Sequence, residues 1–256
     1  MDQKADQEPF KTMSFGDHLD ELRRRIMLAI AGLAAGLVVC LFFGKYIVIF
    51  VQQPYQEFIG ENAKLQVLSP AEGFMTYIKL SLLCGIIVTS PWIFYQLWQF
   101  VAAGLHRHEK KYVYLTVPFS AILFIAGCIF CLWIAVPVTV GFFANFDEKV
   151  VDVRSSYTFQ NYVSFVIGLT LIFGVAFQTP IAVFFLNRLG IIPLAVLKRS
   201  RKYVFLVVLI VSAILTPPGP VILFVLAVPM YLLFEAGVLL CVVFSAGTVK
   251  AGPKRL

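Results

Sequence analysis

The feature that most constrains this chain is a series of six apolar runs, near residues 26–51, 76–103, 113–143, 159–187, 203–216 and 221–245. A helix that crosses a bilayer needs about 20 such residues. In hydrocarbon no water satisfies the backbone, so a spanning segment is either a helix or a strand of a closed barrel. Barrel strands alternate polar and apolar residues, and these unbroken runs do not. The expected fold is therefore an all-α membrane protein with six transmembrane helices. A composition of 60% hydrophobic against 14% charged residues, with mean hydropathy +0.87, agrees with lipid as the solvent. Residues 1–25 are polar and precede a run long enough to span, so no cleavable leader is expected.

The fifth run would rise only about 20 Å as a helix, less than the hydrocarbon thickness. Short fifth and sixth spans are expected, joined by a tight hairpin at Thr216-Pro217-Pro218-Gly219-Pro220, which cannot continue a helix. Three regions follow: an amphipathic N-terminal segment (1–25), a six-helix membrane domain (26–246) and a tail (247–256). Ser14 can cap the first of these, and Phe15, Leu19, Leu22 and Ile26 recur at helical spacing, as in a helix lying on the membrane surface.

Of the 21 Lys and Arg, 16 fall in the two terminal segments and the second and fourth connections. The positive-inside rule makes that side cytoplasmic, with both termini there. Topology and contact with lipid then account for the net charge of +7, and nucleic acid has no place in the reading.

No phosphate-binding loop, His-Glu-x-x-His or Gly-x-Ser-x-Gly occurs, so ATP hydrolysis is not expected; the chain is expected not to be an enzyme, an intramembrane enzyme being a third and weaker alternative. His106-x-His108 with Glu109 offers too few ligands for zinc, and no metal or cofactor is expected. Cys40, Cys84, Cys128, Cys131 and Cys241 lie inside apolar runs, where free cysteine behaves as a small hydrophobe. Gly32-x-x-x-Gly36 permits close helix contact.

Two basic patches each hold an acid: 18–25, with Glu21, and 108–111, with Glu109. Spacing alone favours a plain account, because Asp20–Arg24 and Glu21–Arg25 are i,i+4 pairs in the favourable order and Glu109 can be a solvated charge. Polar groups inside spans are costly and therefore informative. Gln178 stands mid-run beside Thr179-Pro180, where a proline frees a backbone carbonyl, and Glu235 lies toward the cytoplasmic end of the sixth run, where it can pair with a basic side chain or stay protonated. Lys79 can snorkel outward. A transporter for a small solute, or a proton-coupled channel, is the alternative class. Its midplane charges and paired broken helices are not evident.

Several motifs then occur in order: His18-Leu19-x-Glu21-Leu22-Arg23, Ser69-Pro70-x-Glu72-x-Phe74, Pro91, Tyr95-Gln96-x-Trp98-x-Phe100 and His108-Glu109. Phe173-Gly174-Val175-x-Phe177, Arg201-Lys202-Tyr203, Leu215-Thr216-Pro217-Pro218 and Pro229-Met230-Tyr231-x-x-Phe234-Glu235 follow. With them the chain resembles the TatC family of the twin-arginine protein translocase. The resemblance implies a receptor in the bacterial inner (plasma) membrane for signal peptides with adjacent arginines. The receptor works in multiple copies with TatA- and TatB-type single-span subunits to export folded proteins. It also implies that Glu21 and Glu109 bind the arginine pair, supported by Leu22, Arg23, Phe100 and His108. Gln178, Pro180 and Glu235 become intramembrane partner contacts, and Pro54, Ser69, Pro70, Glu72 and Phe74 structural residues of the outer loop. Two positions depart from the family, Gln178 and Gly219, where acids are common, so no proton-relay role is carried to them.

Arginine's planar fork of donors fits a carboxylate in a way lysine's point charge does not, which gives a physical reason for an arginine signal. Six helices, each about 10–12 Å wide, cannot enclose a lumen for a folded domain. One copy is thus a docking platform, and partners must supply the passage.

Overall fold

The computed structural model describes residues 15–60, 64–104, 110–152, 156–215 and 220–248. Ser14, the 216–219 hairpin and the 249–256 tail lie outside them, as do His108 and Glu109.

The first element, α1 (Phe15–Ile59), is one unbroken helix of 45 residues. At 1.5 Å per residue it is about 67 Å long, more than twice the hydrocarbon thickness. The expected surface helix is instead continuous with the first span, without a break at residue 25. No Gly or Pro falls between Asp17 and Ala31, and the Leu, Met, Ala and Arg there are good helix formers. Pro54, expected in the outer loop, lies inside this helix.

After a short connection comes α2 (Glu72–Ala103), which runs back along α1. Small residues let the two axes approach: a Cβ on Gly32 would meet the Trp92 ring and one on Gly36 would meet Thr89, both at 2.3 Å. Trp92 Nε1 donates to the Leu28 carbonyl at 2.9 Å, and Tyr77 Oη donates to that of Leu41. Pro91 lies within α2 and deprives the Ile87 carbonyl of its usual N–H. Ser90 Oγ donates to that carbonyl at 2.7 Å, so the helix continues.

The third apolar run forms a rod of α3 (Lys110–Phe130), a π-helical turn (Cys131–Ala135) and α4 (Val136–Phe146). In the wide turn the Val136 N–H reaches the Cys131 carbonyl. Pro137 follows, lacking an N–H and crowding the preceding turn, so the π register carries the rod past it. A second π-helical turn, Asp147–Val151, ends at Asp152 with φ 56°.

The fourth run is split. α5 (Phe159–Ala176) stops at Phe177 and Gln178, and α6 (Thr179–Arg188) restarts with Pro180 in its first turn. Gln178 therefore sits at a helix break inside the Phe159–Arg188 stretch, because Pro180 cannot donate to the Ala176 carbonyl. A one-and-a-half-turn helix, α7 (Leu194–Arg199), leads into α8 (Arg201–Leu215) and α9 (Pro220–Thr248). α8 has 15 residues, as short as the sequence suggests. α9 has 29, so the expectation of a short sixth span is corrected: beyond Pro220 the sequence stays apolar, and Pro229 is absorbed within the helix.

Among the described residues, five helical stretches are long and apolar enough to cross a bilayer: Gly16–Ile59, Glu72–Ala103, Thr116–Phe146, Phe159–Arg188 and Leu223–Val243. The main core joins Tyr55, Leu80, Cys131, Val136, Val166 and Phe173, and a second joins α6, α7 and α9 through Val183, Leu197, Phe234 and Val238. Cys128 and Cys131 are buried free thiols packed against Thr170. Outward-facing Phe42, Phe43 and Tyr46 on α1 are exposed, which in water would be a liability and in a bilayer is solvent contact.

Candidate functional site

The N-terminal turns of α1, rich in arginine, lie beside the C-terminal half of α2 and form the basic end of the molecule. His18, Glu21, Leu22 and Arg25 are spaced three or four residues apart and are the less exposed residues there, while Asp20, Arg23 and Arg24 are exposed. The His18 ring stacks on Phe100, centroids 4.6 Å apart. One turn further on, Arg25 Nε donates to Glu21 Oε1 at 2.6 Å, and Arg25 Nη1 donates to Gln96 Oε1 at 3.0 Å. Gln96 is buried, with 2% of its surface exposed, whereas the Arg25 and Glu21 side chains keep 21% and 18%. One guanidinium thus joins a carboxylate on its own helix to an amide on the next. Of the two i,i+4 pairs in the sequence, Glu21–Arg25 forms.

The opposite face of α2 carries a second polar group, since Gln96 and Trp98 point about 200° apart around the helix. Trp98 Nε1 donates to Ser120 Oγ at 2.8 Å. Gln178 Nε2 donates to the Ser120 carbonyl at 3.0 Å. Ser120 is fully buried, so α2, α3 and the α5–α6 break meet in one dry knot. Pro180 is buried against α9, where a Cβ on Gly237 would lie 2.9 Å from its Cα. Glu235 pairs with Arg201 (Nη2 to Oε2, 2.9 Å) and accepts from Tyr231 Oη at 3.0 Å. The outcome is the basic-partner alternative for Glu235.

At the far end, Glu72 opens α2 and is buried. Its Oε2 accepts from the Leu68 and Ser69 amides at 2.7 and 3.3 Å, and its Oε1 from the Gln160 amide at 3.0 Å. The Gln160 amide is one of the unpaired N–H groups at the start of α5, so a carboxylate from α2 caps another helix. Gln66 adds backbone bonds to Tyr157 (3.1 Å) and Phe159 (2.8 Å), tying the two loops of this cap together. Ser69 and Pro70 form the turn before α2, while Phe74 is 65% exposed and faces outward.

The structure therefore brings Glu21, Leu22 and Phe100 to one corner, sets Arg23 on its exposed side, and holds Gln178, Pro180 and Glu235 in contacts within the chain. Sequence reasoning misses Arg25, Gln96 and Ser120 as site residues. Gln96 is a polar residue inside an apolar run, a signal that could have found it. Ser120 also lies inside an apolar run, but small hydroxyl residues are common in membrane helices and mark no site.

Residues 17–229 match the family described as "Sec-independent protein translocase protein (TatC)". The TatC protein of Koribacter versatilis is 34% identical over 235 residues, covering 90% of this chain and 86% of that protein. The TatC protein of Helicobacter pylori strain J99 is 36% identical over 223 residues, covering 87% and 86%. A crystal structure described as "Twin Arginine Translocase Receptor- TatC in DDM" superposes with TM-score 0.78 at 31% identity, over 87% of this chain and 98% of that one.

Proposed function

The chain belongs to the TatC family, and from that membership we propose that it is the receptor that reads twin-arginine signal peptides at its basic end. It is a multi-pass membrane component of the Sec-independent translocase, a transport protein and not an enzyme. That replaces the solute-transporter alternative. In the proposed arrangement α8 is a sixth span, both termini face the cytoplasm and the protein sits in the bacterial inner membrane. TatA- and TatB-type subunits and folded cargo are its partners.

The observation that carries the reading is the guanidinium already seated on Glu21. Arg25 sets one guanidinium nitrogen, Nε, on this partly shielded carboxylate, and that contact supports the reading. Glu109, with His108, supplies a second acid from the connection that follows α2, so that two arginines are read by two carboxylates. Leu22 and the His18–Phe100 stack give an apolar shelf beside them. Each charged hydrogen bond contributes about 1.5–3 kcal/mol, so two distinguish arginine from lysine on the order of a hundredfold or more.

Gln178 is the intramembrane partner contact in this reading. Its amide nitrogen is used by Ser120, while among the described residues its oxygen accepts no hydrogen bond and remains available to a single-span subunit. Pro180 and Glu235 shape the α6–α9 and α8–α9 walls behind it. The outer loop, with Ser69, Pro70 and Glu72, serves as structure rather than as a ligand site.

The test is crosslinking with a photoreactive group next to the arginine pair of a signal peptide. Products are expected at 18–25 and 96–104. Products at the cap loop, 64–71, would place recognition at the wrong end and end the proposal.

A further inference from the structure

We propose that Arg25 is a resident competitor for the Glu21 carboxylate, held in place by Gln96, and that it sets the affinity threshold a cationic signal must exceed. The inference rests on the reading of Glu21 as an arginine-binding carboxylate.

Arg25 makes with Glu21 the charge-assisted bond that a signal arginine would make, at 2.6 Å. The pair lies one helical turn apart on α1, so its encounter is intramolecular and its effective concentration far exceeds that of any free peptide. A second contact stiffens it. Gln96 Oε1 receives Nη1 of the same guanidinium at 3.0 Å, and Gln96 is itself immobilised by burial on α2. Arg25 thereby has little rotamer freedom left to lose when it pairs.

The residual exposure of both side chains, 21% and 18%, leaves the pair accessible to a ligand. When Arg25 is displaced, the bond to Gln96 keeps its guanidinium beside the carboxylate, ready to return when the peptide leaves. A competitor of this kind lowers the affinity of every ligand that must displace it by the same factor. It does not by itself prefer arginine to lysine. It removes weak ligands from the occupied population and leaves the fork geometry to choose among strong ones.

The experiment measures binding of an Arg-Arg and a Lys-Lys signal peptide to the full chain in detergent, with thermal unfolding recorded for each variant. Arg25→Gln is expected to tighten both peptides about tenfold, the effect of weakening one charged hydrogen bond by about 1.4 kcal/mol, with the ratio between them unchanged. Arg24→Gln makes the same charge change on an exposed neighbour, and it should tighten binding by much less. Gln96→Leu should tighten binding part of the way, and the Arg25→Gln/Gln96→Leu pair no further than Arg25→Gln alone, because Gln96 acts through Arg25. Arg25→Lys keeps the charge without the fork and provides a second route should the glutamine variant fail to insert. It too should tighten binding.

Weaker binding in the Arg25 variants would mean that Arg25 organises Glu21 rather than competing for it, and a gain equal to that of Arg24→Gln would mean net charge alone. Either result overturns the proposal. Glu21→Gln separates the two readings. If it binds as the wild type does, the site assignment fails; if it loses binding while Arg25→Gln does not tighten it, only the competitor fails.

Discussion

Glu72 at the start of α2 and Glu21 beside its other end are both carboxylates drawn partly out of water, but their partners differ in kind. Glu72 is held by three backbone amides, two from its own loop and one from the first turn of α5. None of those donors can leave without unfolding a loop or a helix end. Glu21 is held by a side chain, and side chains exchange. The first acid belongs to the architecture, the second to whatever cation competes best for it. Acids in one chain, both within matching family motifs, thus have opposite expected phenotypes.

The largest effect should come from breaking the cap. Glu72→Ala leaves the Leu68 and Gln160 amides without their acceptor and unties the loop from α5. Its unfolding temperature should fall by several degrees and its yield from membranes should drop, while the surviving folded protein binds an Arg-Arg peptide as before. A selective loss of binding instead would erase the distinction between the two ends.

A smaller loss is expected at the helix contact that builds the corner proposed as the receptor site. Gly36→Leu forces a side chain into Thr89 and should destabilise by about 1–3 kcal/mol. Because Glu21 and His18 are carried on α1 and Phe100 on α2, the apolar shelf would part from the carboxylate, and peptide affinity should fall with it. Thermal unfolding and peptide binding on one sample check both.

The smallest should be Gln178→Leu, which removes one hydrogen bond to Ser120 and should cost about 1 kcal/mol of stability. Copurification of a single-span partner should drop more than stability does if the amide oxygen has an outside donor. Unchanged copurification would confine Gln178 to the knot with Ser120 and Trp98.

Much of this fold is legible in the sequence because hydrocarbon permits so few solutions. Long apolar runs give the spans, and the short fifth run appears as the 15-residue α8. Pro180 marks the place of the break in the fourth run, yet the sequence does not say that the helix stops and restarts at Gln178, since a proline in an apolar run can either kink or end a helix. The π-helical turn at Cys131–Ala135 is illegible for a related reason: Pro137 could equally have produced a kink.

The site is less legible than the fold. The acid at Glu21 and its i,i+4 partner can be read locally, but Gln96 lies 71 residues from Arg25 and Gln160 lies 88 from Glu72. No spacing rule connects residues that meet only after helices pack. The acids are therefore visible in the sequence, while what distinguishes them, a side-chain partner against a backbone one, is visible only in the structure.

The most direct measurement is Arg-Arg peptide affinity in Glu21→Gln, Glu109→Ala and the double variant, each shown to unfold at the wild-type temperature. Each single change should weaken binding about tenfold, and the double should bring the Arg-Arg peptide near the Lys-Lys one, because the carboxylates proposed to recognise the fork are gone. An undiminished preference for arginine in a properly folded double variant would contradict the account and place recognition elsewhere.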